Sequence, residues 1–289
     1  MIHRRTFLKQ SGLAIAATTL LPGNIFASTV KQKVGLQLYS MRESLPQDVK
    51  GTLEKIAKVG FKEVETYGYS KENAFWGTSL KEFKKILDDN GLATPSGHYG
   101  MDPYLKENGA KDELMMAIDA ANTLEQKYVI IPYLSEGLRN NYGRLADKLN
   151  EAGEVCKKAG LKLAYHNHDF EFDKFDGETA YEIMLRNTEK DLVSFEMDIY
   201  WVVRAGTDPV ALIEKYPGRF PLWHVKDMSK TNPELNTEIG NGSIDYNKIF
   251  DYQKKSGAKH LILEQENFEI EPYKSLDESY NYIQQELLG

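Results

Sequence analysis

The chain has 289 residues, of which 41% are hydrophobic, 27% charged and 11% aromatic, proportions that exclude a disordered, collagenous or coiled-coil protein. A single cysteine, Cys156, excludes an internal disulfide framework and a cysteine-based zinc site. The formal charge of −7 runs against a general nucleic-acid binder, which carries a basic footprint. The length suffices to bury a sizeable core, as two small domains or as one barrel, since α/β barrels run about 200–250 residues.

The chain opens with Arg4-Arg5-Thr6-Phe7-Leu8-Lys9, an apolar stretch from Leu13 to Leu21, Pro22-Gly23 and a small-residue site at Ala27-Ser28. This resembles the signal of the twin-arginine export system, which carries proteins already folded. Residues 1–27 are therefore expected to be a signal peptide and residues 28–289 an exported, periplasmic domain. Cleavage after Ala27 removes Arg4, Arg5 and Lys9 and leaves a more acidic chain. The apolar stretch is too short to be a lasting membrane span, and no other segment approaches about 18 apolar residues.

From Val34 onward one unit recurs: a short apolar run, a polar loop, an amphipathic helix, a glycine, and the next apolar run. The spacing predicts a strand over Val34–Tyr39 and a helix over Val49–Lys58, with Leu53, Ile56 and Ala57 on one face. Gly60 then ends the helix, and Phe61–Glu65 is the second strand. Further strands are expected at Leu92–His98, Tyr128–Pro132, Leu161–Asn167, Val193–Asp198, Phe220–Val225 and His260–Glu264. Gly91, Gly160 and Gly257 repeat the same punctuation. Alternating helices and buried strands specify parallel βαβ units. Eight such units, with no glycine-rich phosphate turn after the first strand, predict a single-domain α/β protein, a closed (β/α)8 TIM barrel.

Chemistry in such a barrel sits at the C-terminal strand ends. Here the fifth strand runs into His166-Asn167-His168-Asp169, the sixth into Glu196-Met197-Asp198, the seventh into His224-Val225-Lys226-Asp227 and the eighth into Glu264-Gln265-Glu266. Alternation along a strand puts His166 with His168, His224 with Lys226, and Glu264 with Glu266. His166, Asp198, His224 and Glu264 would then meet at one height, two imidazoles and two carboxylates suited to one divalent ion such as Mn, Co, Ni, Zn or Mg. A bland reading of the same residues pairs Asp198 and Glu264 with Lys226 or Arg204 as barrel-rim ion pairs.

At these strands the sequence resembles the xylose isomerase-like barrels, the sugar phosphate isomerase/epimerase superfamily that includes tagatose epimerases, hydroxypyruvate isomerase, inosose dehydratase and endonuclease IV. The resemblance runs from Gly35-Leu-Gln-Leu-Tyr39-Ser to Leu263-Glu264-Gln-Glu266. It is carried by Tyr165-His-Asn-His168-Asp-Phe-Glu-Phe172, Met197-Asp198-Ile-Tyr-Trp201, Ala205-Gly206-Thr-Asp208-Pro209, His224-Val-Lys226-Asp227 and Ile239-Gly240-Asn-Gly242-Ser-Ile244-Asp245. The resemblance implies metal ligands at Asp198, His224 and Glu264. At the fifth strand the epimerases usually have glutamate, where this chain has His166. Trp201 stands where the family often has a histidine that contacts substrate.

The resemblance implies a divalent-metal-dependent isomerase or epimerase that takes a proton from the carbon beside the carbonyl of a keto-sugar, through a metal-stabilised enediolate. Glu264 is the base by family analogy and His168 the base by position, with His98 a third candidate. Lys226 would steady the enediolate oxygen or protonate a departing one; its bland role is an ion pair with Glu196 or Asp198. His98, Trp201, Tyr39 and Glu65 are expected to contact substrate, with Trp76 nearby. The missing fifth-strand glutamate and the export signal favour, as an alternative, a lyase that cleaves 3-keto-glycosides by β-elimination. An alternative of another class is a non-catalytic exported sugar-binding barrel. In each case the partner is a small-molecule sugar or keto-glycoside, with no nucleic acid and no stable membrane span.

Overall fold

A computed structural model describes residues 32–289 apart from residue 176, so the expected signal peptide at 1–27 lies outside the described residues. All eight expected strands form and close into one parallel barrel. In chain order they are β1 (Val34–Gln37), β2 (Glu63–Thr66), β3 (Ala93–His98), β4 (Tyr128–Ile131), β5 (Lys162–His166), β6 (Val193–Asp198), β7 (Leu222–Val225) and β8 (His260–Leu263). Each pairs with its sequence neighbours, and closure comes from β1 pairing with β8 through Val34↔Leu261 and Gly35↔Ile262. Residues 32–289 form one unit.

Local chemistry sets the intervening helices. Asp48 caps α1 (Val49–Val59) by accepting the Gly51 N–H, and Ser79 caps α2 (Leu80–Asp89) by accepting the Glu82 N–H. Leu53 and Ile56 of α1 are fully buried, as their helical spacing predicts. After Gln253–Ser256, Gly257 takes a left-handed φ of +82° that an L side chain rarely adopts, turning the chain into β8. Two short antiparallel ribbons decorate the barrel, Lys174–Phe175 with Glu178–Thr179 and Asp227–Met228 with Asn236–Thr237. Neither follows from hydrophobic periodicity, because two-residue strands carry no period.

The barrel interior is layered, and the layering positions the site. At its N-terminal end His260 Nδ1 pairs with Glu63 Oε2 at 2.9 Å. Above it, Tyr128, Ile130, Ala164 and Leu222 form a small apolar plug separate from the main core. Gly35 belongs at this level, since a Cβ there would lie 2.7 Å from Ile262 Cδ1 and 3.3 Å from Glu63 Cβ. Above the plug the strands bury polar side chains, among them Glu65, His166, Glu196 and His224, and among the described residues no helix is long and apolar enough to cross a membrane.

Candidate metal centre and substrate cavity

The strand ends deliver a dense polar cluster. His98, His166 and Asp198 are the last residues of β3, β5 and β6, His224 is the third residue of β7, and Lys226 and Glu264 follow β7 and β8 directly. Asp198 also caps α3 (Ile199–Arg204), where its Oδ1 accepts the Trp201 N–H at 3.0 Å. Its other oxygen, Oδ2, thus stays turned to the barrel axis. Asn167 holds the adjacent backbone by accepting the Asp198 N–H at 3.1 Å.

His224 is the hub. Its Nδ1 lies 3.1 Å from Glu264 Oε2 and 3.7 Å from Asp198 Oδ2, whereas its Nε2 lies 2.8 Å from Glu65 Oε1 and 3.3 Å from Glu196 Oε2. Two sets of donor atoms therefore share this one imidazole. The upper set is Asp198, His224 and Glu264; the lower set is His98, His166, Glu196 and His224. In the lower set, Glu196 Oε2 is 2.8 Å from His98 Nε2 and 3.1 Å from His166 Nδ1. The expected quartet is thus divided: Asp198, His224 and Glu264 converge, while His166 turns its Nδ1 to Glu196, with its ring centroid 4.7 Å from that of His224.

Lys226 is 1% exposed and threads into the upper set. Its Nζ is 2.6 Å from Glu264 Oε2, 2.6 Å from Glu266 Oε1 and 3.2 Å from Asp198 Oδ2. Tyr246 anchors the strand end by donating its hydroxyl to the Lys226 carbonyl (2.7 Å) and accepting the Lys226 N–H (2.9 Å). The next residue, Asp227, accepts the N–H groups of Met228, Gly240, Gly242 and Ile244. That buried carboxylate folds the glycine-rich loop back on itself, so Gly240-Asn-Gly242 serves as a turn, as a loop reading of the sequence expects.

The electrostatics follow from burial and neighbours. Burial opposes a charged His98, yet Glu65 and Glu196 lift its pKa to about 9. For His224 burial likewise opposes the charge, and Glu196 and Glu65 outweigh it and hold the pKa well above the usual value. Burial, with Glu65 beside it, pushes Glu196 up to about 7. Burial and the neighbouring His224 and His98 hold His166 well below the usual imidazole range. Burial and Lys226 lower His168 to about 4. Despite burial, Lys226 and His224 keep the Glu264 carboxyl well below its ordinary value.

The donor set suits a divalent ion. Carboxylates outnumber permanent cations, and protons on His98 and His224 together with the Lys226 ammonium provide the positive charge that the cluster demands. In the upper set Glu264 Oε2 and Asp198 Oδ2 lie 3.1 and 3.7 Å from His224 Nδ1, separations that donors around one ion with bonds of about 2.1 Å can span. Glu196 Oε1 and His168 Nδ1 are buried with no hydrogen-bond partner, an arrangement proteins rarely leave without a purpose.

Above the cluster opens a cavity of about 400 Å³, large enough for a small sugar. Its lining includes Tyr39, His98, His168, Lys226 and Glu264 among the expected residues, together with Tyr133. Tyr39 and Tyr133 are exposed at its rim. Two expected substrate contacts are placed elsewhere. Glu65 is fully buried beneath the floor, its oxygens taken by Gln37 Nε2 and Ser96 Oγ at 2.6 Å each and by the two histidines. Trp201 backs the wall, its ring 5.3 Å from that of His168. Trp76 packs against Tyr67, Phe75 and Phe83.

Sequence reasoning missed Glu196 and Glu171 as members of the site. Glu196 precedes Asp198 by two residues and so shares its face, a signal available from alternation alone. Glu171 is fully buried after β5; it accepts the Tyr165 hydroxyl at 2.5 Å and the His168 N–H at 2.9 Å, fixing the turn that carries His168. Nothing in the spacing announces that contact.

The chain has relatives whose names bear on this site. A solved structure of a sugar phosphate isomerase/epimerase from Parabacteroides distasonis is 31% identical, with a TM-score of 0.80 over 91% of this chain and 97% of that one. The inosose dehydratase of Lactiplantibacillus plantarum is 26% identical over 189 residues, 59% of this chain and 60% of that protein. The chain spans 60% or less of the length of the inosose dehydratases it matches. The IOLI protein, described with a bound zinc atom, shares the fold at 15% identity and a TM-score of 0.71, over 89% of this chain and 99% of that one. The model of the xylose isomerase-like TIM barrel matches residues 53–286, and the chain belongs to that family.

Proposed function

We propose that this protein is a divalent-metal-dependent enzyme that removes a proton from the carbon beside the carbonyl of a keto-sugar or a related polyhydroxylated ketone. One observation carries the reading: Asp198, His224 and Glu264 converge, with the Lys226 ammonium on the two carboxylates, at the floor of a sugar-sized cavity at the C-terminal end of the barrel. A divalent ion held by Asp198, His224 and Glu264 would polarise the substrate carbonyl as a Lewis acid.

The chain's own residues divide the remaining work. His168 is neutral, lines the cavity and is held in place by Glu171 and by the Trp201 ring, so its imidazole is placed to accept the substrate proton. Lys226 Nζ is a fully charged donor on the same cavity, placed to protonate an oxygen that leaves from the next carbon. Glu264 anchors that ammonium and shares the site of charge development. General acid–base assistance of this kind contributes about 10²–10⁴-fold.

With an acid and a base of different chemistry, the arrangement favours β-elimination. The C–H bond breaks toward His168, a C=C bond forms, and the C–O bond breaks as its oxygen takes a proton from Lys226. The dehydratase names among the relatives support this outcome. Isomerisation or epimerisation shares the first step and differs in returning the proton to carbon. Epimerisation by two opposed carboxylates is disfavoured because the fifth strand ends in His166, which is tied to Glu196.

Proton NMR in D₂O on the metal-loaded protein, with a panel of free ketoses and 3-keto-glycosides, tests the reading. Release of water or an aglycone with an unsaturated keto product is expected. Deuterium wash-in or a new isomer without release would make the protein an isomerase or epimerase. Silence over the panel, with metal bound, would favour a binding protein. We also infer export from the twin-arginine pattern at Arg4-Arg5; fractionation of cells expressing the native and an Arg4→Lys/Arg5→Lys chain tests it, and the variant is expected to stay in the cytoplasm.

A further inference from the structure

The two donor sets cannot both use His224 as a neutral imidazole, because such a ring has one lone pair for a metal and one N–H. The upper set needs the lone pair on Nδ1, which faces Glu264 Oε2 at 3.1 Å and Asp198 Oδ2 at 3.7 Å. The lower set needs it on Nε2, toward His98, His166 and Glu196. Something must choose between the two tautomers.

We propose that Glu65 is that selector, a positioning residue that takes the Nε2–H of His224 and so reserves Nδ1 for a metal held with Asp198 and Glu264. Glu65 Oε1 lies 2.8 Å from His224 Nε2 and 2.9 Å from His98 Nε2, so both rings place an N–H on the atom that the lower set requires bare. The carboxylate cannot swing away. Gln37 Nε2 donates to Oε1 and Ser96 Oγ to Oε2, each at 2.6 Å, and the side chain is fully buried. With β1, β2 and β3 each supplying one member, the brace belongs to the barrel wall itself. A carboxylate hydrogen-bonded to the far nitrogen of a ligating histidine fixes the ring and raises its basicity, and loss of such a partner costs about 10–100-fold in metal affinity. The assignment rests on the metal-dependent reading above, yet it concerns ion binding alone.

Zinc binding and histidine NMR test it without substrate. In wild-type protein, Zn²⁺ titrated against a chromophoric chelator is expected to fill one tight site. In ¹⁵N-histidine spectra of the zinc-loaded protein His224 should carry its proton on Nε2. Glu65→Gln should weaken zinc by 10–100-fold, and Ser96→Ala, which keeps the carboxylate but removes one brace, should weaken it less. A proton on Nδ1 of His224, two tight zinc sites, or an affinity within about threefold of wild type in Glu65→Gln would overturn the assignment. Should Glu65→Gln fail to fold, the wild-type tautomer decides. Wild-type protein that binds no zinc would defeat both this assignment and the metal-dependent reading, whereas tight zinc with the expected tautomer but no sugar turnover would defeat the reaction alone.

Discussion

Replacing Lys226 with methionine should destabilise the metal-free protein by about 3–5 kcal/mol, the cost of removing one partner from a buried ion cluster. Methionine keeps much of the apolar stem and removes the ammonium. Three carboxylates then lose their cation, but unequally. Glu266 is 30% exposed and turns to water, whereas Asp198 and Glu264, at 0% and 7%, have no such route. A loss of this size is a large part of the about 5–15 kcal/mol that holds a domain folded. A divalent ion at Asp198, His224 and Glu264 meets the same charge demand, and binding at 100 times its dissociation constant stabilises by about 2.7 kcal/mol. Because the ammonium no longer competes for Glu264 and Asp198, the variant should gain more from the ion than wild type does. Urea unfolding in EDTA and in excess Zn²⁺ measures both numbers. A variant within about 1 kcal/mol of wild type in EDTA, or equal gains from zinc, would refute the reasoning.

Further substitutions probe other layers. Glu171 is pushed up to about 7 by burial from an ordinary value of 4.5, so the folded state favours its protonated form. The resulting stabilisation is present below the unfolded pKa and lost as pH rises through 7, by about 3 kcal/mol. Urea unfolding of Glu171→Gln between pH 4 and 8 should lack that decline, and a curve parallel to wild type would remove the argument. His168→Ala should lower turnover on the substrate found by NMR by about 10²–10⁴-fold while leaving zinc affinity within threefold; loss of zinc instead would make His168 a ligand. Gly35→Ala should cost about 1–3 kcal/mol by overpacking the barrel interior, and Ile262→Val, which removes the Cδ1 that a new Cβ would strike at 2.7 Å, should recover much of it. Thermal melts of the single and double variants check this, and additive losses would sink it.

The barrel was legible because its units repeat. Apolar runs at β1 to β8, capping residues such as Asp48 and Ser79, and glycines such as Gly257 act over a few residues, so each states its role locally. Strand alternation also placed His224 with Lys226 and Glu264 with Glu266 on common faces, and both glutamates meet the Lys226 ammonium. Limits appeared where position along the barrel axis mattered. The apolar run extends the first strand to Tyr39, whereas Tyr39 lies in a single turn of 3₁₀ helix over Leu38–Met41, which lifts it to the rim. Glu65 carries the same charge pattern as a wall residue and is drawn under the floor by Gln37, Ser96 and two histidines.

The closed α/β barrel, the end at which its chemistry gathers and the kinds of side chain collected there are all written in the linear chain. These depend on period, punctuation and strand polarity, all short-range properties. Only the tertiary structure decided how the polar residues are apportioned: His166 to Glu196, Lys226 among Asp198, Glu264 and Glu266, and the two nitrogens of His224 to different neighbours. Such choices rest on differences of an ångström between groups brought from strands far apart in the chain, where hydrogen-bond direction and desolvation set which partner wins, and no local pattern carries that information.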